Sequence, residues 1–278
     1  MALRRFRRHR LALLGFLVIL TMAVLAIAAP LVAGYDPAKN DLLAVHRAPG
    51  AAHVLGTDGG GRDIWARLVY GTRISLSVGL VAVAISTTLG TLIGSLAGYY
   101  RGWVDLSVMR LTDVVMSFPP LLVIISVVAL VGPNIYNIMV VIGLLTWPTV
   151  CRLVRAEFLS LRERQFVEAA RSLGTPDHLV VLRHILPNAL GPVVVATTFG
   201  VSSAILSEAA LSFLGLGVQV PTPSWGSMLQ AASSQTALAE RPWQWLPPGL
   251  AIVLAALSIN FAGEGLRDAL DPHAHVGR

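Results

Sequence analysis

Six uninterrupted apolar runs constrain this chain more than any other feature. They cover residues 11–33, 74–100, 114–131, 135–150, 189–216 and 246–262, and the only ionisable side chain well inside them is Glu208. About 20 apolar residues make a helix long enough to cross a bilayer. In hydrocarbon every backbone N–H and C=O must be satisfied within the protein, which leaves helices or closed barrels. These runs are continuous and do not alternate with period two, so they predict helices. The expected fold class is an all-α membrane protein with six transmembrane helices. Composition agrees, because only 13% of residues are charged against about 25% in soluble domains.

Charge gives the runs a direction. Arg4, Arg5, Arg7, Arg8 and Arg10 precede the first run, a layout that resembles a signal peptide. The apolar stretch is longer than such a region, and Ala28-Ala29-Pro30 is a poor cleavage site. The first run is therefore expected to be a retained span with its N-terminus in the cytoplasm. Six spans then place residues 101–112, 152–188 and 263–278 inside as well. The inner segments hold 5, 2, 6 and 2 Lys and Arg residues, against 5 and 1 in the outer segments 34–73 and 217–245. The bias follows the positive-inside rule, so the net charge of +6 marks orientation and not nucleic acid. Cys151 is the single cysteine, which rules out an internal disulfide. Lys39 is the single lysine, and no Gly-x-x-x-x-Gly-Lys-Ser/Thr loop exists to hold phosphates. ATP-driven work would need a partner's nucleotide site.

The longest charged segment is 152–188. Leu153, Phe158, Leu161, Phe166, Ala169, Ala170 and Leu173 recur there at roughly helical spacing. Gly174 is placed to stop that helix as a C′ residue. Thr175 as N-cap, Pro176 at the first helical position and Asp177 beside the positive helix end predict a restart. Leu179, Leu182 and Ile185 form the next apolar stripe, expected to end at Pro187. Two short helices hinged at Gly174 suit an ordered loop on which a soluble partner docks; the plainer alternative is an ordinary solvated loop.

Glu168-Ala169-Ala170, then Gly174, then Leu186-Pro187 resembles the EAA loop of ABC importer permease subunits. The family's isoleucine two before the leucine is His184 here, and Arg183 to Asn188 is instead similar to the dipeptide, oligopeptide and nickel branch. Further segments resemble the same branch. Leu55-Gly56-Thr57-Asp58, Gly61-Arg62-Asp63 and Tyr70-Gly71-Thr72-Arg73-Ile74-Ser75-Leu76 form one such group. Leu211 to Gly217 with Pro221-Thr222-Pro223-Ser224-Trp225-Gly226 is another, and Asn260 with Gly263 to Pro272 is a third, where Glu264 replaces the usual aspartate. The resemblance implies a type I ABC importer permease fold, with residues 1–73 as an N-terminal span plus connector and 74–278 as a five-span core. It implies a homologous permease, two ABC ATPase subunits and an extracytoplasmic solute-binding protein as partners in a bacterial plasma membrane, with ATP and Mg bound by those ATPases. No cofactor, metal or catalytic residue is expected in this chain. Peptides are the expected substrate. Glu168, Ala169, Ala170, Gly174, Leu186 and Pro187 are implied as the ATPase-coupling residues.

Other residues carry their own expectations. Gly90, Gly94 and Gly98 repeat every four residues, a smooth face for close helix packing. Glu208, as an intramembrane acid, is a functional candidate, with a structural hydrogen bond or helix-break role preferred over substrate contact. Pro119-Pro120 should kink the third span, and Tyr99 to Trp103 should form an interfacial belt. In the first connector, turns and a short surface helix (Ile64, Trp65, Leu68, Val69) are preferred over a metal or phosphate loop. His273 and His275 are read as solvated. A rival class, a carrier driven by an ion gradient, should show several midplane ionisable groups, and only Glu208 qualifies. A membrane enzyme has no acid, base or metal cluster to stand on.

Overall fold

The computed structural model describes residues 9–270. The arginines among residues 1–8 and the histidines at 273 and 275 lie outside the described residues. α1 (Arg10–Ile27) is capped by His9, whose Nδ1 accepts from the Ala12 N–H, and is followed by the one-turn α2 (Ala29–Val32). α3 (Ile64–Tyr100) is followed by α4 (Gly102–Met116), α5 (Pro120–Val131) and α6 (Ile135–Leu161). α7 (Gln165–Ser172) and α8 (Asp177–Leu179) lead through a π-helical turn, Val180–Ile185, into α9 (Leu186–Phe213). α10 (Trp225–Ala231), α11 (Gln235–Glu240) and α12 (Pro242–Leu270) complete the fold. Five helical stretches among the described residues are long and apolar enough to span a membrane, and the pair α4–α5, bent by 80°, passes the same test only when its two helices are taken together.

Three boundaries differ from the sequence reading, each for a physical reason. The short surface helix expected at 64–69 is the start of α3, a single helix of 37 residues. Asp63 caps it by accepting from the Ala66 N–H at 2.7 Å, and no residue between Val69 and Ile74 breaks it. At about 1.5 Å per residue it runs about 55 Å, well beyond a hydrocarbon core of about 30 Å. The inner segment expected at 101–112 is helical as α4, because its charges lie on a helix face and find partners. Arg155 grips Asp105 in a fork, and Arg152 reaches Asp113 at 2.5 Å. The third span is broken at Pro119-Pro120 as expected: each proline disfavours helix in the residue before it, so the chain leaves α4 at Ser117 and restarts with Pro120 in the first turn of α5. Finally, α12 begins before residue 246 and carries helix through Leu270, into the stretch expected as a tail.

The glycine repeat does what its spacing predicts, and the structure supplies its partner. A Cβ on Gly90 would meet Val150 Cβ at 2.6 Å, one on Gly94 the Cys151 carbonyl oxygen at 2.5 Å, and one on Gly98 Phe158 Cβ at 2.6 Å. Gly94 also faces Val154 Cβ at 3.0 Å, so along Val150, Val154 and Phe158 both helices advance by four residues per contact in the same sense, and α3 and α6 lie parallel with backbones nearly touching. α9 and α12 pack beside them, and α1 lies against α12, where Gly15 sits on the Ser258 carbonyl. The chain thus has two ends. One carries residues 162–185, Tyr99 and the His9–Asp268 pair. The other carries the connector 33–63 and the loop 214–241, with Trp65 donating to the Val32 carbonyl and Gln244 to His46 and the Thr57 carbonyl.

Candidate coupling site

α6 keeps its helix to Leu161, then Arg162-Glu163-Arg164 turn the chain before α7 begins. That turn shifts the helical phase. Val167 and Ala170 point inward, while Phe166 and Leu173, expected on the apolar face, are 41% and 86% exposed. A second phase shift follows, because the wide turn Val180–Ile185 adds backbone between stripe positions. Val180 and Ile185 are fully buried, and Leu182 faces out. Tyr99, Phe158, Val167, Ala170, Val180, Ile185, Ala189 and Val193 share one core beneath the loop.

Gly174 is at C′, as its position predicts. Its N–H donates to the Arg171 carbonyl at 2.9 Å and the Thr175 N–H to the Ala170 carbonyl at 3.2 Å, the paired bonds of a Schellman motif. Its φ is +77° and nothing lies within 4 Å of the place a Cβ would occupy, so the backbone conformation alone demands glycine. The restart is one residue later than expected: Pro176 is the cap residue and Asp177 the first helical one. Nor does the second helix end at Pro187. A proline lacks the N–H an α-turn needs, and here the backbone widens into the π turn just before it and continues as α9.

The loop is bolted to the end of α3. The Tyr99 hydroxyl donates to Asp177 Oδ1 at 2.5 Å. The guanidiniums of Arg162 and Arg171 lie 5.5 and 5.0 Å from the centroid of its ring, within cation–π range. Arg162 also donates to the Tyr99 carbonyl, and Arg101 donates to Glu163 at 2.5 Å. Burial and the nearby Arg171 and Arg101 push the Arg162 pKa down, and the Arg101 contact holds the Glu163 carboxyl below its usual value. Tyr99 therefore belongs to the loop and not to an interfacial belt. Nothing in the sequence beyond an aromatic at a span end points to this role. Among the expected coupling residues, Glu168, Ala169, Gly174 and Pro187 are exposed, Leu186 is half-buried and Ala170 is buried. Glu168 has no salt bridge or side-chain hydrogen bond within the described residues.

At the opposite end, Glu208 is fully buried and doubly held. Its Oε2 accepts from Ser75 at 3.0 Å and its Oε1 from Ser212 at 2.6 Å. Ser212 Oγ accepts from the Val218 N–H and from Ser224, and Ser75 Oγ accepts from the Trp225 N–H. Gly217 and Gly226 let the loop close down on α9, since a Cβ on either would strike Ser212 or Ala209. Glu208 is thus distant from Gly90, Gly94 and Gly98 and pins a loop to α3 and α9. In the first connector, Asp58 accepts from the Gly60 and Arg62 N–H groups and from the Arg62 side chain, and Asp63 pairs with His53 at 2.9 Å. Between the two ends, α3, α6 and α9 enclose a cleft of about 350 Å³. Ser86, Ser203 and Ser207 with Thr87, Thr146, Thr149 and Thr197 supply its hydroxyls, and no charged side chain among the described residues lines it.

Residues 90–276 match the family described as binding-protein-dependent transport system inner membrane component. The chain belongs to that family. Residues 1–49 also match the N-terminal TM domain of oligopeptide transport permease C. The permease is 42% identical over 98% of its length to the dipeptide transport system permease protein DppC of Alkalihalophilus pseudofirmus, covering 88% of that protein. It is 44% identical over 97% of its length to the glutathione transport system permease protein GsiD of Escherichia coli, again covering 88%. The fold resembles a chain of the MetNI methionine ABC transporter in an inward-facing conformation. The TM-score is 0.61 at 20% identity, over 75% of the permease and 97% of that chain. The permease is accordingly a multi-pass transmembrane subunit of an ABC importer with a MetI-like fold.

Proposed function

We propose that residues 162–185 are the element through which partner ATPase subunits drive this permease, and that the solute moved is a short peptide. The observation that carries the coupling role is a loop tied to α3 that exposes Phe166, Leu173 and Leu182 together with Glu168, whose carboxylate has no salt bridge or side-chain hydrogen bond among the described residues. Exposed apolar side chains around a free carboxylate suit a protein cleft better than water. Glu168 supplies the polar contact, Ala169 the close approach, Ala170 the anchorage to the core and Gly174 the turn. Leu186 and Pro187 set where the loop rejoins α9. The loop end faces the cytoplasm with both termini, as the arginine distribution favours, and the opposite end receives the solute-binding protein. A second, homologous permease completes the pathway, and ATP and Mg belong to the ATPase pair.

The peptide reading rests on the relatives named for dipeptide and glutathione transport and on the neutral cleft. Hydroxyls without fixed charge can hydrogen-bond to any peptide backbone without selecting side chains. The rival carrier needs a titratable group in the pathway, whereas Glu208 is enclosed by serines away from the cleft. Purification of the tagged permease in mild detergent tests the reading. Stoichiometric P-loop subunits and vanadate-sensitive ATP hydrolysis are expected, with Glu168→Ala weakening that association. Uptake that survives ATP depletion and dies with a protonophore would overturn it.

A further inference from the structure

We propose that Tyr99 is a positioning residue that makes α3 part of the coupling unit, so that the loop moves three spans together and not two. The inference rests on the coupling role of residues 162–185 and deepens it. The chain itself joins that loop to α6 on one side and, through the turn Val180–Ile185, to α9 on the other. Tyr99 of α3 lies 63 residues before Arg162, so apart from the glycine seam with α6 a force on the loop reaches α3 only through direct contacts.

Those contacts converge on one side chain. Tyr99 is 2% exposed and sits in the core beneath the loop. Its hydroxyl holds Asp177, its ring lies beside Arg162 and Arg171, and its carbonyl takes a further bond from Arg162. Loop segments on both sides of Gly174 are thereby tied to one point of α3. The Arg101–Glu163 pair adds a second tie, but it is solvent-exposed and weak for that reason. From Tyr99, stiffness is passed on: Gly90, Gly94 and Gly98 press α3 against α6, and Ser75 joins α3 to Glu208 and the far loop. A displacement at the loop would reach the opposite end through a helix of 37 residues.

The test uses the whole transporter, permease with its ATPase and permease partners, in lipid nanodiscs. Cys151 is fully buried, so spin labels can be placed at His178→Cys, an exposed loop position outside the docking residues, and at Leu80→Cys on α3, which is 61% exposed. The distance between them is measured at rest and after ATP–vanadate trapping. The expected result is no change in the wild-type background, and a shifted or broadened distance on trapping in Tyr99→Phe, which keeps the ring and removes the hydroxyl. Asp177→Ala should give the same result, and the double variant should be no worse than either single one. Hydrolysis should continue while transport per ATP falls about tenfold, the scale expected from losing a charge-assisted hydrogen bond.

A distance that already changes in the wild-type background, or that stays fixed in both variants, overturns the proposal. So does failure of both variants to assemble, which would make the contact a folding element only. Glu168→Ala separates the levels. If it leaves ATPase association intact, the coupling reading fails. If it weakens association while Tyr99→Phe changes nothing, only the linkage through α3 fails.

Discussion

The two ends of α3 are held by opposite chemistries. At the loop end the grip is ionic and partly wet: guanidiniums over a tyrosine ring, a carboxylate on its hydroxyl, and an ion pair from Arg101. At the far end it is neutral and dry: a buried Glu208 surrounded by Ser75, Ser212 and Ser224, with tryptophan and glycine packed over them. Charged contacts at a surface are screened by salt and rearrange cheaply. Buried hydrogen-bond networks are costly to disturb. The exposed Arg101–Glu163 pair can therefore exchange partners while the buried Tyr99 contacts and the far end keep their shape.

The largest effect expected is on the helix seam that joins the two ends. Gly94→Leu would push a side chain into the Cys151 backbone, 2.5 Å from the Cβ position, and overpacking of this kind costs about 3 kcal/mol. Loss of folded protein in the membrane, read by size-exclusion profile, is the expected outcome; a normal profile would show that α3 and α6 separate freely. Glu208→Leu comes next. It leaves the Ser75 and Ser212 hydroxyls without their acceptor, at about 1–3 kcal/mol, and Glu208→Gln should cost less because one oxygen remains. Thermal melts should show that both losses are independent of salt.

A smaller, pH-dependent effect belongs to the first connector. Neutral His46 accepts at Nδ1 from Gln244, and burial, with Arg241 beside it and against the opposing pull of Asp58, lowers its pKa below 6.5. The folded state therefore binds that proton less readily than the unfolded one. The associated stability is full above the unfolded pKa of 6.5 and is lost as pH falls through the lowered folded value. Hydrogen-exchange protection across residues 44–58, taken relative to the intrinsic exchange rate at each pH, should fall on acidification, and His46→Asn should flatten the response. The smallest effect is at the loop end, where Arg101→Ala should change the melt barely at low salt and not at all in 1 M salt, on the scale of exposed pairs. A salt-insensitive loss there would erase the contrast between the ends.

Much of this architecture is legible in the sequence because bilayer burial writes itself as long apolar runs, and because glycines at 90, 94 and 98 in register favour a close-packing face. What those glycines pack against is not legible, since the partner residues Val150, Cys151 and Phe158 carry no distinguishing pattern. Gly174 declares its turn through residue type alone. The faces of the flanking helices do not follow from periodicity, because the turn at 162–164 and the wide turn Val180–Ile185 each reset the phase. Residues 102–116 look like a loop for want of apolar periodicity, yet their aspartates are helix-face partners of Arg152 and Arg155. Tyr99 shows the limit most clearly: its partners lie 63 to 78 residues away in the chain.

The turn Val180–Ile185 also sets a rule for lengths. A π turn in a helix holds one residue more than the α-helical path over the same rise would. Each residue of an α-helix corresponds to about 100° of rotation, so the extra residue fixes how the surface proposed for coupling is rotated about the axis of α9. Deleting one residue between Val180 and Ile185 would let the segment settle into regular helix while leaving α9 intact. The surface bearing Glu168 would then be swung out of alignment by roughly a quarter turn. Orientation of that surface is thus encoded as a count of residues, and a single-codon change at one place is enough to alter it.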